Sequence, residues 1–236
     1  MNSKDNATKK QKNKKRRNPF RYFFLDFLRI TGVWSAALWL RPKRLYENKK
    51  AKKHIRGGAV AIANHVSFID PIAMYFAFWY RHVHLTALDQ LFSSKTGNWF
   101  FTHVMCIPVN RENFSIRSYR ACTEVLKEGG VLGIFPEGAI NREEFTLKSF
   151  KSGAAQMAIK NHVPIVPVYL VAPKKWYNRL VMVLGEPINP EELCTDDSNA
   201  RDAEEISQKL REKELKLMEV YQQWKTRKSS KKSSKK

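Results

Sequence analysis

Cysteine is scarce in this 236-residue chain, and the three that occur, Cys106, Cys122 and Cys194, form no C-x-x-C pair. That argues against a disulfide framework and a cysteine zinc site, and it fits a reducing compartment. Acidic residues are also few: Asp and Glu number 22 against 43 Lys and Arg, for a formal charge of +21. No Walker loop, G-x-G-x-x-G, H-E-x-x-H or G-x-S-x-G is present. Their absence argues against nucleotide hydrolysis, hydride transfer, zinc proteolysis and α/β-hydrolase chemistry. No secretory signal is recognised, because the basic head is long and no small-residue cleavage site follows the apolar run. A clean spanning segment is missing too, since the apolar stretch from Phe20 to Leu40 is interrupted by Arg21, Asp26 and Arg29.

The positive charge is unevenly placed. Residues 1–18 carry eight Lys/Arg and one Asp, and residues 225–236 carry seven Lys/Arg and no acid. Both ends read as solvated, disordered basic tails. Such tails suit nucleic acid or anionic lipid equally well. Residues 19–45 have aromatics, apolar bulk and basic flanks at Arg16-Arg17 and Arg41 to Arg44, which are the features of an interfacial anchor. A helix or helical hairpin lying in the cytoplasmic leaflet is the favoured reading. A single span and a buried core helix are the alternatives. Residues 46–224 then form one domain with a core large enough to stand alone.

Within that domain apolar strand candidates at 59–63, 83–87, 104–109, 131–136, 164–170 and 180–184 alternate with helical candidates at 71–81, 89–101, 115–128 and 149–161. The alternation predicts an α/β domain whose central sheet is largely parallel or mixed and flanked by helices. Ser115 is a candidate N-cap, and Gly129-Gly130 would close the same helix. Pro164 and Pro167 push the strand containing them toward an edge or a bulge. After Pro190, Ile206, Leu210, Leu217 and Tyr221 mark one face of a charged amphipathic helix. It is expected to pack on the domain, with a membrane-surface helix as the alternative.

The stretch Asn64-His65-Val66-Ser67-Phe68-Ile69-Asp70 carries the chemistry. Histidine is the side chain best suited to take a proton at neutral pH, and a carboxylate on its far ring nitrogen would fix the tautomer. Five positions along a helix are about 140° apart, so the two groups meet only if His65 lies in the turn after a strand and Asp70 begins the next helix. Ser67 followed by Asp70 resembles a capping box, and Asp70 followed by Pro71 would equally serve as an N-cap. No serine or cysteine nucleophile stands out, so His65 would activate a substrate hydroxyl.

Three further sites fall at strand ends. Ile107 to Arg111 presents an arginine, whose planar fork suits phosphate or carboxylate. Phe135-Pro136-Glu137-Gly138, with Arg142 just after, places a carboxylate and a glycine in a turn where backbone approaches a ligand closely. Lys148 to Gly153, which includes Lys151, reads as a helix start able to hold an anion. Each also reads as an ordinary surface or turn feature.

Taken together, the stretches 64–70, 107–111, 135–138 and 163–168 resemble the blocks of the glycerolipid acyltransferase family, the group containing 1-acylglycerol-3-phosphate acyltransferases. That family shows N-H-x4-D, a block ending in arginine, F-P-E-G and V-P-[IV]-x-P-V in this order. The resemblance covers about residues 55–185, and it implies His65 as general base with Asp70 orienting it. It also implies Asn64, Arg111, Glu137, Gly138, Arg142 and Lys151 as substrate-binding residues. The implied activity is acyl transfer from acyl-CoA or acyl carrier protein to lysophosphatidic acid at a membrane, giving phosphatidic acid, with no cofactor or metal and no specific nucleic acid partner. Two departures concern the acceptor. Where the family continues E-G-T-R-S-R, this chain has Ala139, Ile140 and Asn141 before Arg142, and it lacks the lysine of a K-x-E-L stretch near Leu88 to Phe92. Glycerol-3-phosphate or another lysolipid, including an amino-lipid, therefore stays open as acceptor. A nucleic-acid-binding protein and an inactive membrane scaffold are the readings outside that chemistry.

Overall fold

The computed structural model describes residues 22–110, 115–143, 145–173, 175, 178–192 and 200–233. The N-terminal basic tail, Arg111 and Cys194 lie outside them. Seven strands form one sheet in the order β1-β7-β6-β2-β5-β3-β4. In chain order these are β1 (Lys43–Tyr46), β2 (Ala59–Ala63), β3 (Val83–Leu88), β4 (Ile107–Val109), β5 (Val131–Ile134), β6 (Ile165–Val171) and β7 (Val181–Leu184). The helices are α1 (Phe23–Leu40), α2 (Asp70–Ala77), α3 (Lys95–His103), α4 (Ile116–Lys127), α5 (Gly153–Asn161) and α6 (Ala200–Ser233). All neighbouring strands are parallel except β6 and β7, so the mixed sheet expected from the alternation is present.

The sequence of β2, Ala-Val-Ala-Ile-Ala, explains its central place. Every side chain is buried. Ala59, Ala61 and Ala63 face the cluster built with α2, whereas Val60 and Ile62 face the cluster built with α4, α5 and the first half of α6. The small residues let one layer approach closely and the branched ones fill the other, as the period of two requires. Burial of Val60 and Ile62 contributes about 1.5–3 kcal/mol each.

Local signals set several boundaries. Ser115 accepts the Ser118 N–H at 3.1 Å and caps α4. At the other end Gly130 N–H bonds to Val125 O and Gly129 N–H to Leu126 O, with Gly129 at φ +78°, which is the Schellman arrangement. The expected helix 89–101 is split, because Ser94 takes an extended conformation and caps α3 by accepting the Gly97 N–H. A 3₁₀ turn at Asp89–Phe92 precedes it.

Two expectations change and one is narrowed. β1 was not recognised in the sequence; it pairs with β7, so the sheet begins at Lys43, inside the expected anchor segment, and among the described residues of that segment Phe23–Leu40 is the α-helix. β6 is an interior strand, so of the edge or bulge expected from the prolines the bulge is the one present. It accommodates Pro167: Val168 pairs with Leu184 but Ile165 pairs with Ile188, one residue out of step. At the bulge Pro167 needs no N–H of its own, and its carbonyl accepts Gly185 N–H at 2.8 Å. Finally, α6 continues to Ser233, so residues 225–233 extend a helix rather than a disordered tail. The apolar stripe of Ile206, Leu210, Leu217 and Tyr221 is buried against the domain and nucleates that helix.

α1 packs on the rest through buried Leu25 and Leu40, with Ala36 and Ala37 against the same cluster as Leu40, and through polar contacts. Asp26 accepts from His82 Nε2 at 2.8 Å, Arg29 donates to the Trp79 carbonyl, and Phe24 meets Trp99 and His103 edge-on. Phe23, Phe27, Ile30, Leu38 and Trp39 remain exposed. Among the described residues no helix is long and apolar enough to cross a membrane.

Candidate active site

β2 and β5 are neighbours, and their register pairs Ile62 with Ile134. Carried three residues further, that register sets His65 opposite Glu137. Both lie past the carboxyl ends of parallel strands, where open α/β sheets hold their ligands.

His65 lies in the turn after β2 and Asp70 is the first residue of α2, the one arrangement that lets them meet. His65 Nδ1 lies 2.8 Å from Asp70 Oδ2. The same oxygen accepts the main-chain N–H groups of Val66 at 2.6 Å and Ser67 at 2.7 Å. Asp70 is 0% exposed, so one carboxylate oxygen carries the whole turn and also orients the ring. The bond to Ser67 is the acid's half of a capping box; the other half is altered, since Ser67 Oγ accepts weakly from Ile69 N–H at 3.4 Å. Phe135 stacks on the imidazole with centroids 4.4 Å apart. The His65 side chain keeps 18% exposure. With Nδ1 engaged, Nε2 is the nitrogen left for a substrate.

Glu137 is buried, and its carboxylate bridges two main-chain donors. Oε1 accepts His65 N–H at 3.1 Å and Oε2 accepts Lys148 N–H at 3.2 Å. Asn141 closes the loop by donating its N–H to the His65 carbonyl at 2.6 Å, while its amide donates to Thr146. The His65 peptide is therefore held at both its N–H and its C=O by the segment after β5.

The other expected site residues divide into three groups. Asn64 is buried, and its amide clamps the Leu170 main chain, donating at 3.0 Å and accepting at 2.6 Å. Its signal as a site residue in the sequence came from adjacency to His65, whereas its side chain points across to β6. Gly138 and Lys151 do meet. Gly138 has φ +68°, and a Cβ there would touch the Lys151 side chain at 3.3 Å. Lys151 is held by its N–H to Pro136 O, and it precedes α5 rather than starting it. Arg142 is exposed on the loop between Asn141 and Leu147.

Among the described residues no thiol nucleophile belongs to this site. Burial pushes the Cys106 and Cys122 thiols up to about 12, far from the range where a thiolate forms. Among the described residues no group of three or more His, Cys, Asp or Glu side chains could hold a metal ion. Sequence reasoning missed Phe135 as the imidazole's stacking partner and Asn141 as the carbonyl's donor. The first is visible only through its adjacency to the P-E-G turn.

With the geometry in hand, the comparisons agree among themselves. Residues 43–171 match the model of the Acyltransferase family. A 1-acyl-sn-glycerol-3-phosphate acyltransferase of Bacillus subtilis is 29% identical over 168 residues, 68% of this chain and 83% of that one. The protein of the same name from Borreliella burgdorferi is 31% identical over 150 residues, 62% of this chain and 58% of its own. The crystal structure of the 1-acyl-sn-glycerophosphate acyltransferase PlsC from Thermotoga maritima superposes with a TM-score of 0.59 at 20% identity, covering 84% of this chain and 81% of that one. That likeness concerns the fold.

Proposed function

The chain belongs to the acyltransferase family, and from that premise we propose that it moves a fatty acyl group from an acyl thioester to the sn-2 hydroxyl of 1-acylglycerol-3-phosphate. The relatives named for that reaction support the acceptor. The observation that carries the chemistry is the His65–Asp70 pair, with Nδ1 engaged at 2.8 Å and Nε2 left for a substrate.

In this reading Nε2 takes the proton of the acceptor hydroxyl as its oxygen attacks the thioester carbonyl. Asp70 holds the neutral tautomer and stabilises the imidazolium that forms. The C–O ester bond forms, the C–S bond breaks, and the imidazolium returns its proton to the thiolate that leaves. A thiolate leaves readily, so positioning and general-base catalysis are the main demands. Lys151 beside Gly138 supplies a cation within reach of the turn, and Arg142 and Arg111 complete the set for the acceptor phosphate. The donor is acyl-CoA or acyl carrier protein. The exposed apolar row of α1 lies in the lipid headgroup region on the cytoplasmic side and lets a lipid acceptor arrive without crossing water.

A second acceptor class has one specific feature in its favour. Ala139 and Ile140 stand where the family pattern has threonine and arginine, so the turn offers fewer contacts to a bare phosphate.

The test is acyl transfer from labelled oleoyl-CoA in liposomes to lysophosphatidic acid, glycerol-3-phosphate and neutral or amino-headed lysolipids, with His65→Ala alongside. Phosphatidic acid formed from lysophosphatidic acid and lost in His65→Ala supports the reading. Product from another acceptor moves the substrate. No product with either acyl-CoA or acyl carrier protein overturns it.

A further inference from the structure

The face that α6 turns to the sheet is apolar except at Ser207, whose hydroxyl donates to the Ala203 carbonyl, and at Glu214, which sits between Leu210 and Leu217 and is 0% exposed. Both of its carboxyl oxygens are buried without a hydrogen-bond partner among the described residues. The charge of Glu137 acts against ionisation of this carboxyl, whereas the main-chain N–H of Asn64, which does not meet the geometry of a full hydrogen bond to it, acts in the opposite sense. Tyr169 of β6 and Tyr221 of α6 complete the surroundings.

The cations nearby are directed elsewhere. Arg211 gives its guanidinium to the carbonyls of Leu147 and Lys148, and Lys213 pairs with Glu47 at 2.8 Å. The Lys148 ammonium reaches the Ile140 carbonyl, and Lys151 runs along Gly138. A carboxylate in such a place, beside a second carboxylate, takes up a proton. Burial first, and the charge of Glu137 second, hold the Glu214 carboxyl well above the usual range.

Resting on the acyl-transfer reading, we propose that Glu214 is a positioning residue, a neutral carboxylic acid that closes the floor under the Asn64–His65 turn and leaves Glu137 as the single negative charge there. Glu137 holds His65 N–H and Lys148 N–H by that charge. Ionising Glu214 sets two carboxylates against each other, draws Glu137 off the His65 peptide and displaces the ring from its working position. The long C-terminal helix is thereby coupled to the base through one proton.

The experiment compares wild type with Glu214→Gln, which keeps the shape and removes the titration, and with Glu214→Ala, which leaves a hole. A carboxyl raised in the folded state binds its proton more tightly than in the unfolded chain. Wild type therefore loses stability relative to Glu214→Gln as pH rises above the ordinary carboxylate value. The expected result is a Tm of Glu214→Gln that exceeds wild type by a margin growing as pH rises above the ordinary carboxylate range. With it goes a kcat within about twofold of wild type at neutral pH, and an alkaline fall of kcat that moves to higher pH in Glu214→Gln while KM stays unchanged. Glu214→Ala is expected to lower Tm at every pH. A Glu214→Gln protein less stable than wild type throughout overturns the proposal, because it means a charged, paired carboxylate. Coincident alkaline limbs also overturn it, because they mean no link to the base. The Tm comparison needs no substrate. If the chain moves no acyl group, the His65 ring-proton shifts followed with pH decide the link: an alkaline inflection present in wild type and absent in Glu214→Gln supports it, and superimposable curves overturn it.

Discussion

Asp70 Oδ2 accepts His65 Nδ1 at 2.8 Å and, on the same atom, the N–H groups of Val66 and Ser67. One buried oxygen thus fixes both the ring and the turn that carries it. Removing the charge and removing the acceptor are then different experiments. Asp70→Asn leaves an acceptor oxygen but presents no charge to the imidazolium, and is expected to lower kcat by about 10²–10⁴ with a smaller change in KM. Asp70→Ala leaves the half-buried N–H groups of Val66 and Ser67 without this acceptor as well, and is expected to cost a further ~1–3 kcal/mol of stability. Steady-state kinetics together with thermal melts separate the two.

Glu137 holds the His65 N–H and the Lys148 N–H with its two oxygens. Glu137→Gln keeps one acceptor oxygen, so one of the two donors loses its partner. Glu137→Ala strands both, and its kcat is expected to fall about tenfold or more below that of Glu137→Gln, with a lower Tm. Equal kcat values for the two variants would show that the bridge does not position His65.

The Arg81 guanidinium ties three loop carbonyls together, those of Ile55, Gly57 and Gly129, at the end of the sheet away from His65. Arg81→Met preserves the stem and removes every donor. A loss of ~1–3 kcal/mol in urea unfolding is expected, with kcat/KM of the surviving folded protein near that of wild type.

Leu38 and Trp39 are exposed on α1. Leu38→Glu with Trp39→Glu places two charges where the proposed bilayer contact lies. Sedimentation with anionic liposomes is expected to fall about tenfold or more, while transfer to a short-chain, water-soluble lysolipid is unchanged. Co-sedimentation equal to wild type would rule out α1 as the contact.

Burial raises the thiols of Cys106 and Cys122 from their ordinary value to about 12. The thiolate is the reactive form, so at about pH 8 both are expected to resist iodoacetamide in the native protein and to react after denaturation, read by peptide mapping. Rapid native labelling of either would contradict the packing around it.

The sequence by itself determined the α/β alternation, the cap at Ser115, the Gly129-Gly130 stop, the buried stripe of α6 and the His65–Asp70 pairing. These follow from short-range rules: side-chain period, cap chemistry and the angle between neighbouring residues. Tertiary structure decided what depends on residues far apart in the chain. β1 is four residues with no clean alternation, and it becomes a strand because β7 offers it an edge. Pro167 is tolerated inside the sheet because a bulge opposite it relieves the missing donor, and the strand that bulges is β7's continuation. Strand order placed the Leu170 main chain beside the Asn64 amide and the His65 peptide beside Glu137, partners that the sequence does not name. A buried polar group takes whichever partner lies within hydrogen-bond reach, and sheet register alone determines who that is.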